Sequence, residues 1–167
     1  MGDLLLNPNG RLDRNRFWQG MVILTVCTVI VSAGYRMVAI PLVFLHFVLI
    51  YPYICVIGKR LHDAGFSAAL VIFVWIGAML ANQLISGVLG AFLISTETLA
   101  AYEAVMGHLE RNEIDPAMEG MIIVLRDTLS TAVGAGILTN LLVGLGLGGL
   151  PSQPRENKHG APTSGMS

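Results

Sequence analysis

Four long apolar runs, at residues 17–35, 37–57, 66–94 and 128–148, constrain this chain more than any other feature. A hydrocarbon core about 30 Å thick requires about 20 apolar residues from a helix rising 1.5 Å per residue, so each run is long enough to cross a bilayer. At that depth no water satisfies the backbone, and a helix, which bonds within itself, is the expected form of each run. Composition agrees: 54% of the residues are hydrophobic and 13% charged, against about 25% charged in soluble domains. The expected fold class is all-α and polytopic. A single membrane domain, 1–150, holds a bundle of about four transmembrane helices, with an amphipathic extramembrane helical segment, 95–127, before the last crossing. Residues 151–167, rich in Pro, Ser and Gly and without an apolar run, are expected to form a flexible cytoplasmic tail.

Local signals refine this outline. The first run exceeds the 7–15 or so residues of a signal-peptide core and leads straight into more apolar sequence, so it reads as a retained helix. Only Arg36 separates it from the second run, which implies a very tight turn. Pro41 falls where a missing N–H costs little, and Pro52 predicts a kink. The second run ends in a polar turn, 58–65, with a glycine at each end. The third run is longer than one crossing needs, and its Asn82, Gln83 and Ser86 are expected to face other helices. In the outer segment Leu99, Tyr102, Val105, Met106 and Leu109 recur at helical spacing, as in a helix lying on the membrane or on a partner. Asp115-Pro116 reads as an N-cap and first helical position, and that helix either stops before the fourth crossing or continues into it.

Basic residues accumulate on the cytoplasmic side of short loops. In a four-crossing arrangement Arg11, Arg14, Arg16, Lys59, Arg60, Arg155 and Lys158 fall on one side and Arg36, Arg111 and Arg126 on the other, a split of seven to three. Both termini are therefore expected in the cytoplasm of a multi-pass protein, with the acidic outer segment facing outward. The net charge of -1 gives no reason to expect nucleic acid as a partner.

Two motifs flank the first two crossings. Gly10-Arg11-Leu12-Asp13-Arg14-Asn15-Arg16-Phe17-Trp18 resembles a GRxxRxxFW-type entry into a first helix, and Lys59-Arg60-Leu61-His62-Asp63-Ala64-Gly65 resembles an RLHDxG turn. In this order they resemble a large bacterial family of inner-membrane proteins, domain of unknown function 805. The resemblance runs from about residue 7 to the third helix. It implies an inner-membrane bundle and brings no known reaction. Family members often continue the turn with Ser-Gly-Trp-Trp, whereas this chain reads Phe66-Ser67-Ala68-Ala69-Leu70.

Three groups of residues are candidates for function. Arg11, Arg14, Arg16, Lys59, Arg60, His62 and Asp63 form a cluster at one bilayer face. There they either anchor topology, with Phe17 and Trp18 in an interfacial aromatic belt and Asp63 or Ser67 capping the third helix, or hold an anionic lipid headgroup. Ala132, Gly136, Asn140, Gly144 and Gly148 recur every four residues in the fourth run, and 144 to 148 is a GxxxG, so this stripe is a helix-packing interface toward the same chain or toward another subunit. The intramembrane polar residues are His46, in the middle of the second run, with Asn82 and Gln83. Cys27 and Cys55 lie in apolar runs and read as packing residues. His62-Asp63 stands without a second His or Cys at ligand spacing, and no Walker, HExxH or nucleophile-elbow pattern is present, so neither catalytic residue, metal nor cofactor is expected.

These features predict a non-enzymatic interaction protein, an accessory or assembly subunit of a bacterial inner-membrane complex or a homo-oligomer. Its expected partners are the bilayer, including anionic lipid, and other membrane subunits or itself. The alternative is a small carrier or channel-like protein for a small or lipid-like solute, with His46, Asn82 and Gln83 along a polar path. Converging polar groups around a cavity distinguish the second from the first.

Overall fold

In a computed structural model, residues 2–163 form seven α-helices and, among the described residues, no strand. They are α1 (Gly2–Leu6), α2 (Arg14–Met37), α3 (Leu45–Asp63), α4 (Val71–Leu93), α5 (Thr96–Glu110), α6 (Ile114–Asp127) and α7 (Leu129–Gly148). Short 3-10 turns, Ile40–Phe44 and Ala68–Leu70, lead into α3 and α4. The spans α2, Ile40–Asp63, Ala68–Leu93 and α7 are long and apolar enough to cross a membrane, so the all-α polytopic bundle expected from the sequence is the observed architecture.

The ends of these helices follow from particular residues. Asp13 caps α2, its carboxylate accepting from the Arg16 backbone N–H at 2.9 Å, so the helix begins in the polar entry motif and absorbs its arginines. At the other end α2 runs through Arg36 to Met37, and the reversal occurs at Val38 and Ala39 instead of at Arg36. The expected polar turn at 58–65 is largely helix. α3 continues to Asp63 because the chain turns only at Gly65, whose φ of +85° suits glycine and closes the helix with Gly65 N–H donating to the His62 carbonyl and Phe66 N–H to that of Leu61. Ser67, not Asp63, caps the turn that leads into α4, accepting from the Ala69 N–H.

The outer segment is a helical hairpin, its second helix beginning close to the restart that Asp115-Pro116 marks. α5, capped by Ser95, and α6 pack closely enough that a Cβ on Gly120 would lie 2.6 Å from Val105. Asn112, at φ +58°, turns the chain between them. α6 starts at Ile114, which puts Pro116 third in the helix instead of first. The amide it lacks is one that no turn of helix would have used. Thr128 breaks α6 from α7, so the fourth crossing begins afresh.

In the bundle α7 packs between α2 and α4, and α3 packs on α2. α3 and α4 meet near their connection, where Gly58 faces Ala68 and Val71. The buried core, including Leu12, Phe17, Met21, Leu24, Val56, Ile57, Leu61, Val71 and Leu147, lies toward this end of the bundle, the terminal face. Away from it α4 rests on α7 alone, and only 6% of its crossing window is buried. The result is a bundle tightly closed at one face and parted in the middle.

Residues 151–163 do not form the free, flexible tail that their composition suggests. They lie on the end of α3, with Gln153 N–H donating to the Asp63 carbonyl at 2.8 Å. Residues 164–167 of that tail lie outside the described residues.

Candidate functional site

The cationic motif residues divide into two groups. Arg14 and Arg16 are exposed on the first turn of α2, whereas Arg11, Lys59, Arg60, His62 and Asp63 converge. At the centre the Asp63 carboxylate, fully buried, takes Arg60 Nη1 at 2.7 Å on one oxygen and Arg11 Nε at 3.1 Å on the other. The rest of Arg60 is spent on the end of α7: Nε donates to Leu147 at 3.1 Å, and Nη2 to the carbonyls of Gly148 and Leu150. The carbonyls of Leu147 and Gly148, in the last turn of α7, have no partner four residues on within that helix and carry the negative end of its dipole, and that of Leu150 lies just beyond it, so a guanidinium is the natural cap. Arg60 Nη1 also reaches the Leu12 carbonyl and Ser152 Oγ. One arginine therefore joins the N-terminal segment, α3, α7 and the tail.

The same device recurs twice. Lys59 Nζ donates to the carbonyls of Asp3 and Leu4 on α1. Arg36, stacked over Tyr35 at the opposite end of the bundle, donates to Leu125 of α6 at 3.1 Å and to Thr128 Oγ1 at 2.9 Å. Arg11 meanwhile holds the tail, its guanidinium donating to the carbonyls of Gln153 and Arg155. His62 donates from Nδ1 to Gly10 and stacks on His159 with ring centroids 3.5 Å apart. Burial, then the neighbouring positive groups His62, Lys158 and Arg11, pushes the His159 pKa down.

This cluster is saturated from within the chain, so its chemistry is that of a latch. A headgroup would have to displace backbone carbonyls already bonded to Arg11 and Arg60. Arg14 and Arg16 alone keep free faces.

The packing stripe of α7 also divides. Gly144 and Gly148 form a groove filled by Trp18 of α2: added Cβ atoms would lie 2.7 Å and 2.9 Å from its ring. The GxxxG is thus an internal packing site. Phe17 is fully buried in the core and meets Trp18 edge-on, so neither residue joins an interfacial belt. Ala132 is half-buried at the start of the helix. Gly136 opens onto empty space, and Asn140 is a polar hub.

That hub defines the second site. Asn140 Nδ2 donates to Tyr53 OH at 2.7 Å and to Thr25 Oγ1 at 3.0 Å. Thr25 and Thr28 donate to the Met21 and Leu24 carbonyls of their own helix, so the Tyr53 hydroxyl donates to Thr28 Oγ1 across 3.1 Å. Beside this network Asn82 donates to Thr139 Oγ1 at 3.2 Å. Thr28, Asn82, Thr139 and Asn140, together with Trp75, Ala78, Met79, Gln83 and Gly136, line a cleft of about 300 Å³ between α2, α4 and α7. Its polar residues lie near the midpoints of their helices, which places the cleft at the depth of the acyl chains. Among the described residues the carbonyl oxygens of Asn82 and Asn140 and the whole amide of Gln83 have no hydrogen-bond partner.

His46 does not belong to this cleft. It stands in the first turn of α3, not at mid-crossing, because the helix starts later than the apolar run. There Nδ1 donates to the Val43 carbonyl, and Nε2 faces Ser32 Oγ at 3.4 Å, with the Tyr35 ring edge-on. Sequence reasoning misses Thr25, Thr28, Tyr53, Thr139 and the packing role of Trp18. A threonine in an apolar helix can bond its own preceding carbonyl, so its type alone does not tell whether it also serves a neighbour.

A family model described as a protein of unknown function (DUF805) matches residues 5–161, and the chain belongs to this family. The match extends past the third helix, through the acidic hairpin and the docked tail, beyond the reach of the two motifs. No curated protein and no solved structure matches the chain.

Proposed function

We propose that this family member is a membrane-embedded binding protein that takes a neutral, lipid-phase amphiphile into the cleft between α2, α4 and α7, the carrier-type role in its simplest form. The observation that supports this is the set of unmatched amide groups around an open cleft at mid-membrane depth. An unpaired amide away from water costs about 1–3 kcal/mol or more, and the bilayer core supplies no water to relieve it. A ligand site is commonly a mostly apolar cleft of about 300–1,000 Å³ with a few converging polar groups. The lining carries no formal charge, which suits a hydroxyl, carbonyl or amide on an apolar body and not a phosphate. Entry is lateral, between α2 and α4, which do not touch each other, because the latch closes the terminal face.

Gly136→Leu tests this reading. A Cβ at Gly136 meets nothing within 4 Å, so the larger side chain fills the cleft without disturbing the bundle. Purified gently and extracted with organic solvent, the unaltered protein should yield one discrete neutral amphiphile near one per chain, and the variant should lose it with its melting temperature unchanged. Equal retention by both, or no discrete molecule in either, would end the proposal.

Assembly with another subunit is a second reading. It is supported by the bare flank of α4, where Phe73, Ile76, Leu80, Leu84 and Val88 are all exposed. Its sign would be a protein of fixed stoichiometry retained by Gly136→Leu and lost when Ile76 and Leu80 are changed together to Ala. We place the protein in a bacterial inner membrane, on the resemblance carried by its two motifs, and both termini in the cytoplasm, on the seven-to-three division of basic residues. A cysteine at Glu110 should then react with an impermeant reagent from outside the cell, and reaction only after lysis would reverse the orientation.

A further inference from the structure

The hairpin of α5 and α6 leaves apolar side chains exposed that a water-facing hairpin would not. On α5 they are Leu99, Tyr102, Met106 and Leu109, and on α6 they are Ile114, Met118 and Ile122, with Ile123 also exposed but about 140° around the helix from these. Each set recurs every three or four residues and so forms one stripe along its helix.

The two stripes share a face. Taking about 100° of rotation per residue, the α5 stripe lies about 70° around its helix from the buried line through Thr98 and Val105, and the α6 stripe about 110° from the line through Ala117 and Val124. Both offsets run in the same rotational sense, and in an antiparallel pair equal senses turn toward the same side. The hairpin as a unit is therefore apolar on one side, while Glu97, Glu119 and Asp127 point away from it and Glu103, Glu110 and Asp115 lie at its edge.

The apolar side faces the bundle. Met118, Ile122 and Leu125 share a cleft of about 250 Å³ with residues 35–41, the turn from α2 into α3, so α6 runs across that turn instead of projecting away from it. Arg36 holds it there through the Leu125 carbonyl. The surface beside the contact is Met37 and Val38, the latter 80% exposed, at the end of a membrane span. Both ends of the hairpin are short tethers: Ile94 and Ser95 link it to α4 and Thr128 to α7, and Thr98 Oγ1 clamps the two ends by donating to Asp127 at 3.2 Å.

We propose that the hairpin is an interfacial platform, lying in the bilayer surface opposite the terminal face with its apolar side among the upper acyl chains and its acidic side in water. The occupant of the face is lipid because the stripe is continuous with the ends of the spanning helices and its tethers keep it at their level. Amphipathic helices of this kind sit about 5–10 Å into the headgroup boundary.

Spin labels on the full chain in vesicles of zwitterionic phospholipid test this. With Cys27→Ser and Cys55→Ala as background, labels are placed singly at Met106→Cys, Met118→Cys, Glu97→Cys and Glu119→Cys. Labels at 106 and 118 should collide several-fold more often with dissolved oxygen, which concentrates in lipid, than with an aqueous nickel chelate, and labels at 97 and 119 should show the reverse. Equal exposure of all four sites to the chelate would mean that the hairpin stands off in water. Shielding of 106 and 118 from both reagents, with dipolar broadening between chains, would mean that a second copy covers the face. Either result overturns the platform.

Discussion

The basic side chains drawn into this fold act mainly on backbone. Arg60, Arg36 and Lys59 each complete the carboxyl end of another helix, and Arg11 gathers the carbonyls of the tail. Such contacts combine two effects of similar sign, hydrogen bonds to unpaired carbonyls and attraction to a helix dipole. For Arg11 and Arg60 they are available because Asp63 lies against the buried charge of both. A buried ion pair contributes little compared with an apolar replacement, but removing one partner leaves the other unmatched. Asp63→Asn should therefore destabilise the bundle by about 3–5 kcal/mol, read as a lower denaturation midpoint in detergent. An Asp63→Asn protein as stable as the parent would show that the backbone carbonyls alone hold both guanidinium groups.

Helix pairing here depends on glycine in specific registers. Trp18 of α2 enters the notch left by Gly144 and Gly148, and Gly20 lets Val56 of α3 approach from the other side. In lipid, helices gain no hydrophobic drive from meeting, so close contact at such places contributes much of their association. Gly144→Leu would force the indole out and part α2 from α7. Overpacking costs typically about 1–3 kcal/mol. The expected outcome is a lower melting temperature and more aggregation on solubilisation, in contrast to Gly136→Leu one helical face away. A Gly144→Leu protein of unchanged stability that had lost an oligomer would show instead that the groove receives another chain. The spacing of these glycines is visible in the sequence, but the identity of the filler is not: a tryptophan at the mouth of the first helix fits an interfacial belt equally well until the two helices are placed side by side.

At the scale of the molecule, the tail closes the terminal face, and the closure should respond to pH. His159 titrates below its ordinary value in the docked state, first through burial and then through His62, Lys158 and Arg11, while the acidic groups on the elements around it are Asp63 at the end of α3 and Glu156 in the tail. A group with a depressed folded-state pKa stays neutral when the undocked chain takes up a proton. Docking is accordingly unaffected above about pH 6.5, the ordinary histidine value, and weakens as pH falls below it. Trypsin at Arg155 and Lys158 should cut faster at pH 5.5 than at pH 7.5, after correction with a peptide substrate, and His159→Phe should remove the difference. A pH-independent rate in the parent would mean that Arg11 and Asp63 alone hold the tail. What the sequence determined by itself is the class and count of elements: four runs of membrane length, their order, and the two motifs at one face, because apolar length and helix periodicity are local properties that the bilayer reads one segment at a time. Helix ends moved by several residues, since the apolar run does not show which polar residues cap: Asp13 starts α2 early, the turn at Gly65 lets α3 run through the basic motif, and Ser67 sets the entry to α4. Only the tertiary structure decided that the basic cluster is a buried latch, that the GxxxG is occupied by Trp18, and that Asn82, Gln83 and Asn140 border one cleft without His46. Each of those depends on which side chains are neighbours across helices far apart in sequence, and a polar residue in an apolar run has the same sequence signature whether its partner is its own helix, another helix, or a ligand.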